Sequence, residues 1–465
     1  MLSNEACRGP SRRDVLRFGS VALASAGLAG VAPFGVRAGT SPDRTSNDPA
    51  VIFIWLPGGP PHQETFDMKP DAPAEYRGDF KPIRTNVPGI DICEHLPMLS
   101  KCADKFSLIR SVSHRFADHG GGHKKFLTGR DPLEPTGTIN DYPMAGSMAA
   151  KLMPEKANGL PNYVNVVDDG RQGTDTFAFG SAYLGPSTHP FVVRGDPSDP
   201  KFAVHNLSLV KGTEDKLAER RALLGAFDRP IPNDLDGIAA GIDGSRDRAF
   251  KLVTSPTAKT AFDLAKESEK IRAQYGNHRY GQRCLMARRL VEAGVPWVTM
   301  VLENATEHGK DMLKDRTYNW DSHAVNCDIF NDTKHKLGFL DQAISTLIQD
   351  LYARGLDKKV LLVLTGEFGR TPKIEYDKAT GRPGRDHWPQ ATSILVSGGG
   401  ARMGQVIGST TSKAEHPKDR PLTPNHVWAT VFDHLKLDHR NTNFNDGSGR
   451  PMAMLSDSEA ISELA

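Results

Sequence analysis

Two kinds of pattern alternate along the chain. Short unbroken apolar runs occur at 51–56 (VIFIWL), 106–112 (FSLIRSV), 162–167 (NYVNVV), 297–302 (WVTMVL), 359–365 (KVLLVLT) and 391–399 (ATSILVSGG). Runs of this length, with β-branched content and polar or Gly/Pro-rich ends, predict strands covered on both faces, as in a parallel sheet. Between them, apolar residues recur at helical spacing. Residues 261–293 read as a long helical stretch with a break at Tyr275-Gly276 and an end before Pro296. Residues 334–355 carry Leu337, Leu340, Ile344, Leu347, Ile348 and Leu351 on one face and stop at Gly355. A further helix is expected from Pro424 to Leu437. Helix 334–355 leads straight into strand 359–365, and this alternation predicts an α/β fold with a doubly wound, mostly parallel sheet and strand 51–56 at its centre. Residues 170–250 hold fewer periodic runs and read as an insertion or cap, so 51–465 is expected to be a single domain behind a polar linker at 39–50.

Composition narrows the class. Among 465 residues, 38% hydrophobic and 25% charged is a globular balance, and Gly 44 with Pro 32 points to many loops rather than a helical bundle. The net charge is +2, and the basic excess sits in residues 1–38, so no basic field exists to hold nucleic acid. That first segment has Arg12-Arg13 before a short Gly/Ala-rich apolar run broken by Pro33, then Arg37-Ala38. It is the layout of a twin-arginine export signal, which predicts delivery to the periplasm by the twin-arginine machinery, in the folded state and often with a cofactor in place. No later run approaches the roughly 18 apolar residues of a membrane span, so none is expected in the mature chain. Cys93, Cys102, Cys284 and Cys327 form no CxxC pair and read as free, buried cysteines.

A parallel sheet collects its functional groups in the loops beyond the carboxyl ends of its strands. Here those loops hold His62, Glu64 and Asp67 after 51–56, and His114, Asp118, His119 and His123 after 106–112. Asp321 and His323 follow 297–302, Glu367 and Arg370 follow 359–365, and Arg385, Asp386 and His387 precede 391–399. Imidazole together with carboxylate suits zinc or another first-row divalent ion rather than calcium. Asp321 and His323, two apart, point the same way in an extended segment. Gly120-Gly121-Gly122 argue against a helix before about residue 122 and suggest instead N–H groups presented to an anion. Glu367, buried directly after a strand, needs a ligand or an ion-pair partner such as Arg370.

The segments GGPPHQETFDMKP, RSVSH, DHGGGHKKFLTGR, YGQRCLMARRLVEAGVPWV, NWDSH, LDQAISTLIQDLYARGL, GEFGRTP and GRDHWP together resemble the exported bacterial family of domain-of-unknown-function 1501, within the alkaline phosphatase and sulfatase-like superfamily. The resemblance implies an alkaline phosphatase-like α/β/α sandwich with a metal site at its strand ends. HGGGHKKFLTG fits the sulfatase nucleophile segment, which puts His119 at the nucleophile position and His123 at the arginine position. Histidine there would be a nucleophile or an extra metal ligand. By the same resemblance Asp321, His323 and His387 are metal ligands, as is Glu367 with Phe368 in place of the usual following histidine. The first-strand aspartate is missing, with His62 or Asp67 to compensate. Asp386 is a further metal-ligand candidate, and Arg370 and Arg385 are expected to hold the anion. The function implied is an exported metal-dependent hydrolase of phosphate or sulfate esters, acting on a small molecule or glycan. The alternative is a non-catalytic metal- or glycan-binding protein on the same fold. Replacing Arg12 and Arg13 together by Lys is expected to strand the precursor in the cytoplasm, read by cell fractionation; undiminished export would exclude the signal assignment.

Overall fold

The computed structural model describes residues 48–137, 139–168, 179–204 and 247–465, with 207, 216 and 219. The export signal at 1–38, the linker up to residue 47 and most of the predicted insertion lie outside the described residues.

Eight strands form one sheet: β1 (Ala50–Trp55), β2 (Phe106–Val112), β3 (Tyr163–Val167), β4 (Phe191–Arg194), β5 (Trp297–Val301), β6 (Val360–Thr365), β7 (Thr392–Gly398) and β8 (Val406–Ile407). Their order is β8-β2-β7-β6-β1-β5-β3-β4, so β1 is interior, and all six of its residues are buried. Five helices matter for the site: α1 (His119–Thr128), α2 (Ala145–Leu152), α3 (Arg279–Glu292), α4 (Ile329–Ala353) and α5 (Pro424–His434).

The alternation of β1 separates two cores. Ile52 and Ile54 face a cluster with Leu285 and Leu290 of α3 and Leu340, Ile344 and Leu347 of α4. Val51, Phe53 and Trp55 face the other cluster, with Phe126 of α1, Met148 of α2 and Val427, Trp428 and Val431 of α5. Helices therefore cover both faces, and the fold is an α/β/α sandwich. The expected helical break is present: one helix ends at Tyr275, Gly276 takes φ 95°, and α3 begins at Arg279. Helix α4 starts earlier than its apolar stripe suggested, capped by the Asp328 side chain on the amides of Phe330 and Asn331. Cys93, Cys102, Cys284 and Cys327 are free and buried.

Three sequence readings change. Strand β7 was expected to be parallel but pairs antiparallel with both β2 and β6, while the other pairings in the sheet are parallel. The reason is the path of the chain: residues 366–391 stay at the carboxyl end of β6, and a strand entered from that end must run backwards. Phe191–Arg194, inside the predicted insertion, adds β4 to the edge of the sheet. Helix α1 starts at His119, ahead of the three glycines.

Trp428 is fully buried, its ring 5.2 Å from Phe53, and its Nε1–H donates to Phe126 O of α1 at 2.6 Å. Trp428→Ala is expected to lower stability by about 3–5 kcal/mol, the usual range for emptying a large aromatic site, as read by urea unfolding. A loss under about 1 kcal/mol would show that this core collapses around the cavity.

Candidate metal centre

Helix α1 is possible because Asp118 caps it. The Asp118 carboxylate accepts from Gly120 N at 2.8 Å and Gly121 N at 3.3 Å, and its carbonyl accepts from Gly122 N at 2.7 Å. These bonds offset the poor helix propensity of three glycines. They also occupy the N–H groups that the sequence reading offered to an anion. The glycines instead allow close approach: a Cβ on Gly120 would stand 2.6 Å from Gly137 O, and one on Gly122 2.9 Å from the Phe368 ring. His119 and His123, one helical turn apart, then share the face turned to the sheet.

Glu367 enters from β6 and is fully buried. Its Oε1 accepts from Gly58 N at 2.8 Å and lies 2.7 Å from His119 Nδ1 and 3.2 Å from His123 Nε2. Its Oε2 is buried without a hydrogen-bond partner, as is His123 Nδ1. Burial alone would raise the Glu367 carboxyl, but the His123 and His119 imidazoles outweigh it and hold it well below the usual range. The main-chain carbonyl of Glu367 is 2.6 Å from His114 Nε2, and burial pushes that imidazole down to about 4.

Asp321 and His323 come from the loop ahead of α4. Asp321 Oδ1 lies 2.8 Å from His323 Nε2, 3.0 Å from His387 Nε2 and 2.7 Å from an Arg370 nitrogen. His323 Nε2 and His387 Nε2 are themselves 3.0 Å apart. The far nitrogens of both rings are already committed: His387 Nδ1 is 2.7 Å from Ala117 O, and His323 Nδ1 is 2.5 Å from Asp386 Oδ1. A carbonyl or carboxylate can only accept, so a neutral ring that donates through Nδ1 leaves its Nε2 without a proton; the His323 Nε2 then also faces an Arg370 nitrogen at 3.3 Å. Two ring nitrogens and a carboxylate oxygen thus converge, with outer partners holding each ring, a donor set that suits a first-row divalent ion. Burial would raise the Asp321 carboxyl; the surrounding imidazoles of His119, His323 and His387 and the Arg370 charge hold it well below its normal value.

His119 links the two halves. Its Nδ1 faces Glu367, and its Nε2 lies 3.2 Å from Asp321 Oδ2. Burial would lower this imidazole, but Asp321 and Glu367 raise it to about 9. Two groups among the described residues offer ligand atoms within reach of one ion: His119, Asp321 and His387, and His119, His123 and Glu367.

The remaining predicted residues take other places. Arg370 is fully buried and pairs with Asp321, not Glu367. It also donates to Gly58 O, Gly59 O at 2.9 Å, Trp320 O at 3.0 Å and Arg385 O at 3.2 Å, so it has no N–H turned outward for an anion. Arg385 is buried against Glu64 at 2.6 Å and the carbonyls of Thr371, Pro372 and Tyr76, away from the cluster. Asp67 pairs with Lys69 at 3.0 Å and with Thr410, and it supplies no ligand. His62 lies behind Arg370, its Nε2 3.0 Å from Ala414 O and its Nδ1 accepting from Arg370 N at 3.4 Å. Neither replaces the missing first-strand aspartate; Gly58 and Gly59 stand at that strand end and contribute main-chain groups only.

The sequence reading missed the support behind Asp321. Asp332 and Lys336 of α4 form a buried ion pair. Asp332 accepts from Thr317 N at 3.0 Å and Ser322 Oγ at 2.5 Å, while Lys336 donates to Thr317 Oγ1 at 2.6 Å and to Asn319 O. The detectable signal was charge at i, i+4 within the apolar stripe of α4. Asp332→Ala is expected to cost about 3–5 kcal/mol by leaving Lys336 buried and unpaired. Adding Lys336→Met should recover part of the loss in chemical denaturation; no recovery would show that the pair does not act as a unit.

The profile of the family described as Protein of unknown function (DUF1501) matches residues 48–465. No curated protein matches the chain. Among solved structures, the PsFucS1 sulfatase from Pseudoalteromonas sp. is similar at 11% identity and a TM-score of 0.37, over 85% of this chain and 69% of that one. The alkaline phosphatase from the Antarctic bacterium TAB5 is similar at 14% identity and a TM-score of 0.34, over 84% of this chain and 99% of that one. Among the described residues no helix is long and apolar enough to cross a membrane.

Proposed function

The chain belongs to the DUF1501 family, and we propose that it is an exported, metal-dependent hydrolase of phosphate or sulfate esters carried on a small molecule or glycan. The observation that carries the reading is the convergence of Asp321 Oδ1, His323 Nε2 and His387 Nε2, all within 3.0 Å of one another, with both rings oriented by a second partner. A divalent ion held there would polarise an ester oxygen and lower the pKa of a bound water. Asp321 supplies the negative charge, His323 and His387 supply neutral nitrogens, and Asp386 and Ala117 O keep those rings in the required tautomer. Glu367, buried and ionised, adds a second negative charge beside His119. Both nitrogens of His119 face carboxylates, which leaves neither aimed at a substrate, so His119 is assigned as a ligand and water as the attacking group. Export by the twin-arginine route fits a protein that must fold around its ion before it leaves the cytoplasm.

A second reading, a binding protein without turnover, is favoured by one observation. The guanidinium groups of Arg370 and Arg385 and the first N–H groups of α1 are all satisfied inside the protein and hold no free donor for a phosphoryl or sulfuryl group. Zinc-loaded protein assayed on aryl phosphate and aryl sulfate separates the two. Turnover that vanishes on chelation and falls by orders of magnitude in His387→Ala is expected for the hydrolase. Metal retained without turnover on any ester selects the binding reading.

A further inference from the structure

A cavity of about 670 Å³ opens at the amino ends of β3 and β4, whose first residues, Tyr163 and Phe191, form part of its wall. The metal-ligand candidates lie beyond the carboxyl ends of the strands, so this cavity sits at the opposite edge of the sheet. Its size falls within the range of roughly 300–1,000 Å³ typical of small-molecule sites. Met153, Leu160 and Leu252, all buried, supply apolar wall. Lys151, Lys156, Arg248 and Lys251 stand around it with a single carboxylate, Glu155. That carboxylate is already engaged: its Oε1 is 2.7 Å from Arg248 Nη1 and its Oε2 3.8 Å from Lys251 Nζ. Lys151, exposed in the last turn of α2, pairs with no carboxylate among the described residues. Gly159, at φ 75°, lets the segment after Arg248 come close, since a Cβ there would stand 2.6 Å from Lys251 O. Asn162, also in the wall, donates through Nδ2 to Met153 O at 3.1 Å and Pro154 O at 3.0 Å, but its Oδ1 is buried with no hydrogen-bond partner. A buried acceptor in that state is costly, and a ligand carrying an O–H or N–H would satisfy it.

We propose that this cavity binds a small amphipathic anion: an aliphatic or aromatic body carrying one carboxylate or sulfonate and a hydrogen-bond donor. The apolar wall takes the body, and the surplus of cations holds the acidic group, with Lys151 as the uncommitted partner. Asn162 Oδ1 accepts from the donor. A neutral apolar molecule would leave the surplus charge unused. A nucleotide or other polyanion fits poorly, because the Arg248 guanidinium is committed to Glu155 and the wall residues Pro161, Pro186 and Pro190 bring no N–H to cradle phosphates. The inference goes beyond the hydrolase reading and shares no residue with the candidate metal centre.

The test is a fluorescence titration of the full, folded chain with anilinonaphthalene sulfonate, which combines an aromatic body, one sulfonate and an N–H. Saturable binding of one probe per chain is expected, with dodecanoate displacing it. Leu252→Trp, which fills the cavity, should abolish that binding. Lys151→Glu should weaken it by roughly tenfold by setting a like charge against the sulfonate, and should leave the uncharged analogue phenyl-naphthylamine bound as in the wild type. Circular dichroism of each variant establishes that it has folded; if Leu252→Trp does not fold, Lys151→Glu decides alone, because its side chain is exposed. The proposal is overturned by a wild type that shows no saturable binding, or by a folded Leu252→Trp or Lys151→Glu protein that binds the sulfonate with unchanged affinity. Phenyl-naphthylamine binding the wild type as tightly as the sulfonate does would equally overturn the anionic class.

Discussion

The site depends on one buried guanidinium. Arg370 is sealed from solvent, and its donors reach Gly58 O and Gly59 O beyond β1, Trp320 O and Asp321 Oδ1 ahead of α4, and Arg385 O before β7. Three segments far apart in sequence are fixed by a single planar group whose donors are spaced for that purpose. Lysine, with a compact ammonium, could not span them. The ion pair with Asp321 matters beyond its energy, because it sets where the carboxylate oxygen lies relative to His323 and His387. The two-residue antiparallel pairing that sets Arg370 opposite His387 adds a backbone constraint to the same arrangement.

Burial and charge oppose each other at the two carboxylates of the site. Placing Glu367 and Asp321 in low-dielectric surroundings disfavours their ionised forms. The His123 and His119 imidazoles nevertheless hold Glu367, and the imidazoles of His119, His323 and His387 with Arg370 hold Asp321, well below the ordinary range.

Much of this arrangement was legible in the chain, for definable reasons. Strands such as VIFIWL are covered on both faces, and a continuous apolar run is what that demands. Asp321, His323, Glu367 and His387 were placed together because each follows or precedes such a run at one edge of a sheet. The errors arose where local chemistry could not show long-range partners. Arg385 lies one residue from Asp386, yet its guanidinium turns inward to Glu64, 321 positions earlier in the chain. His62 and Asp67 follow β1 closely, but their partners at Ala414 and Thr410 lie in a late segment with no periodicity to flag it. The glycine run misled because propensity was weighed without the cap: Asp118 reverses the balance, and the value of three missing side chains appears only against Gly137 and Phe368.

The position of Phe368 shows why those glycines and the imidazoles belong to one design. Its ring is fully buried, lies 4.6 Å from the His387 ring and 5.3 Å from the His119 ring at the same 33° inclination, and so floors both imidazoles. Room for it exists because Gly59 and Gly122 carry no Cβ, which would stand 2.6 Å and 2.9 Å from the ring. Gly58, with φ 106°, brings the end of β1 so near that a Cβ would meet Asp321 N at 2.4 Å. Small residues on two elements thus let a large apolar one pack beneath the polar cluster. Phenylalanine at 368 adds an apolar wall beside both rings that restricts their rotation. The buried imidazole on the Glu367 side comes from His123 of α1, across the site, so the helix that the glycines make possible brings a nitrogen to within 3.2 Å of the carboxylate at the end of β6.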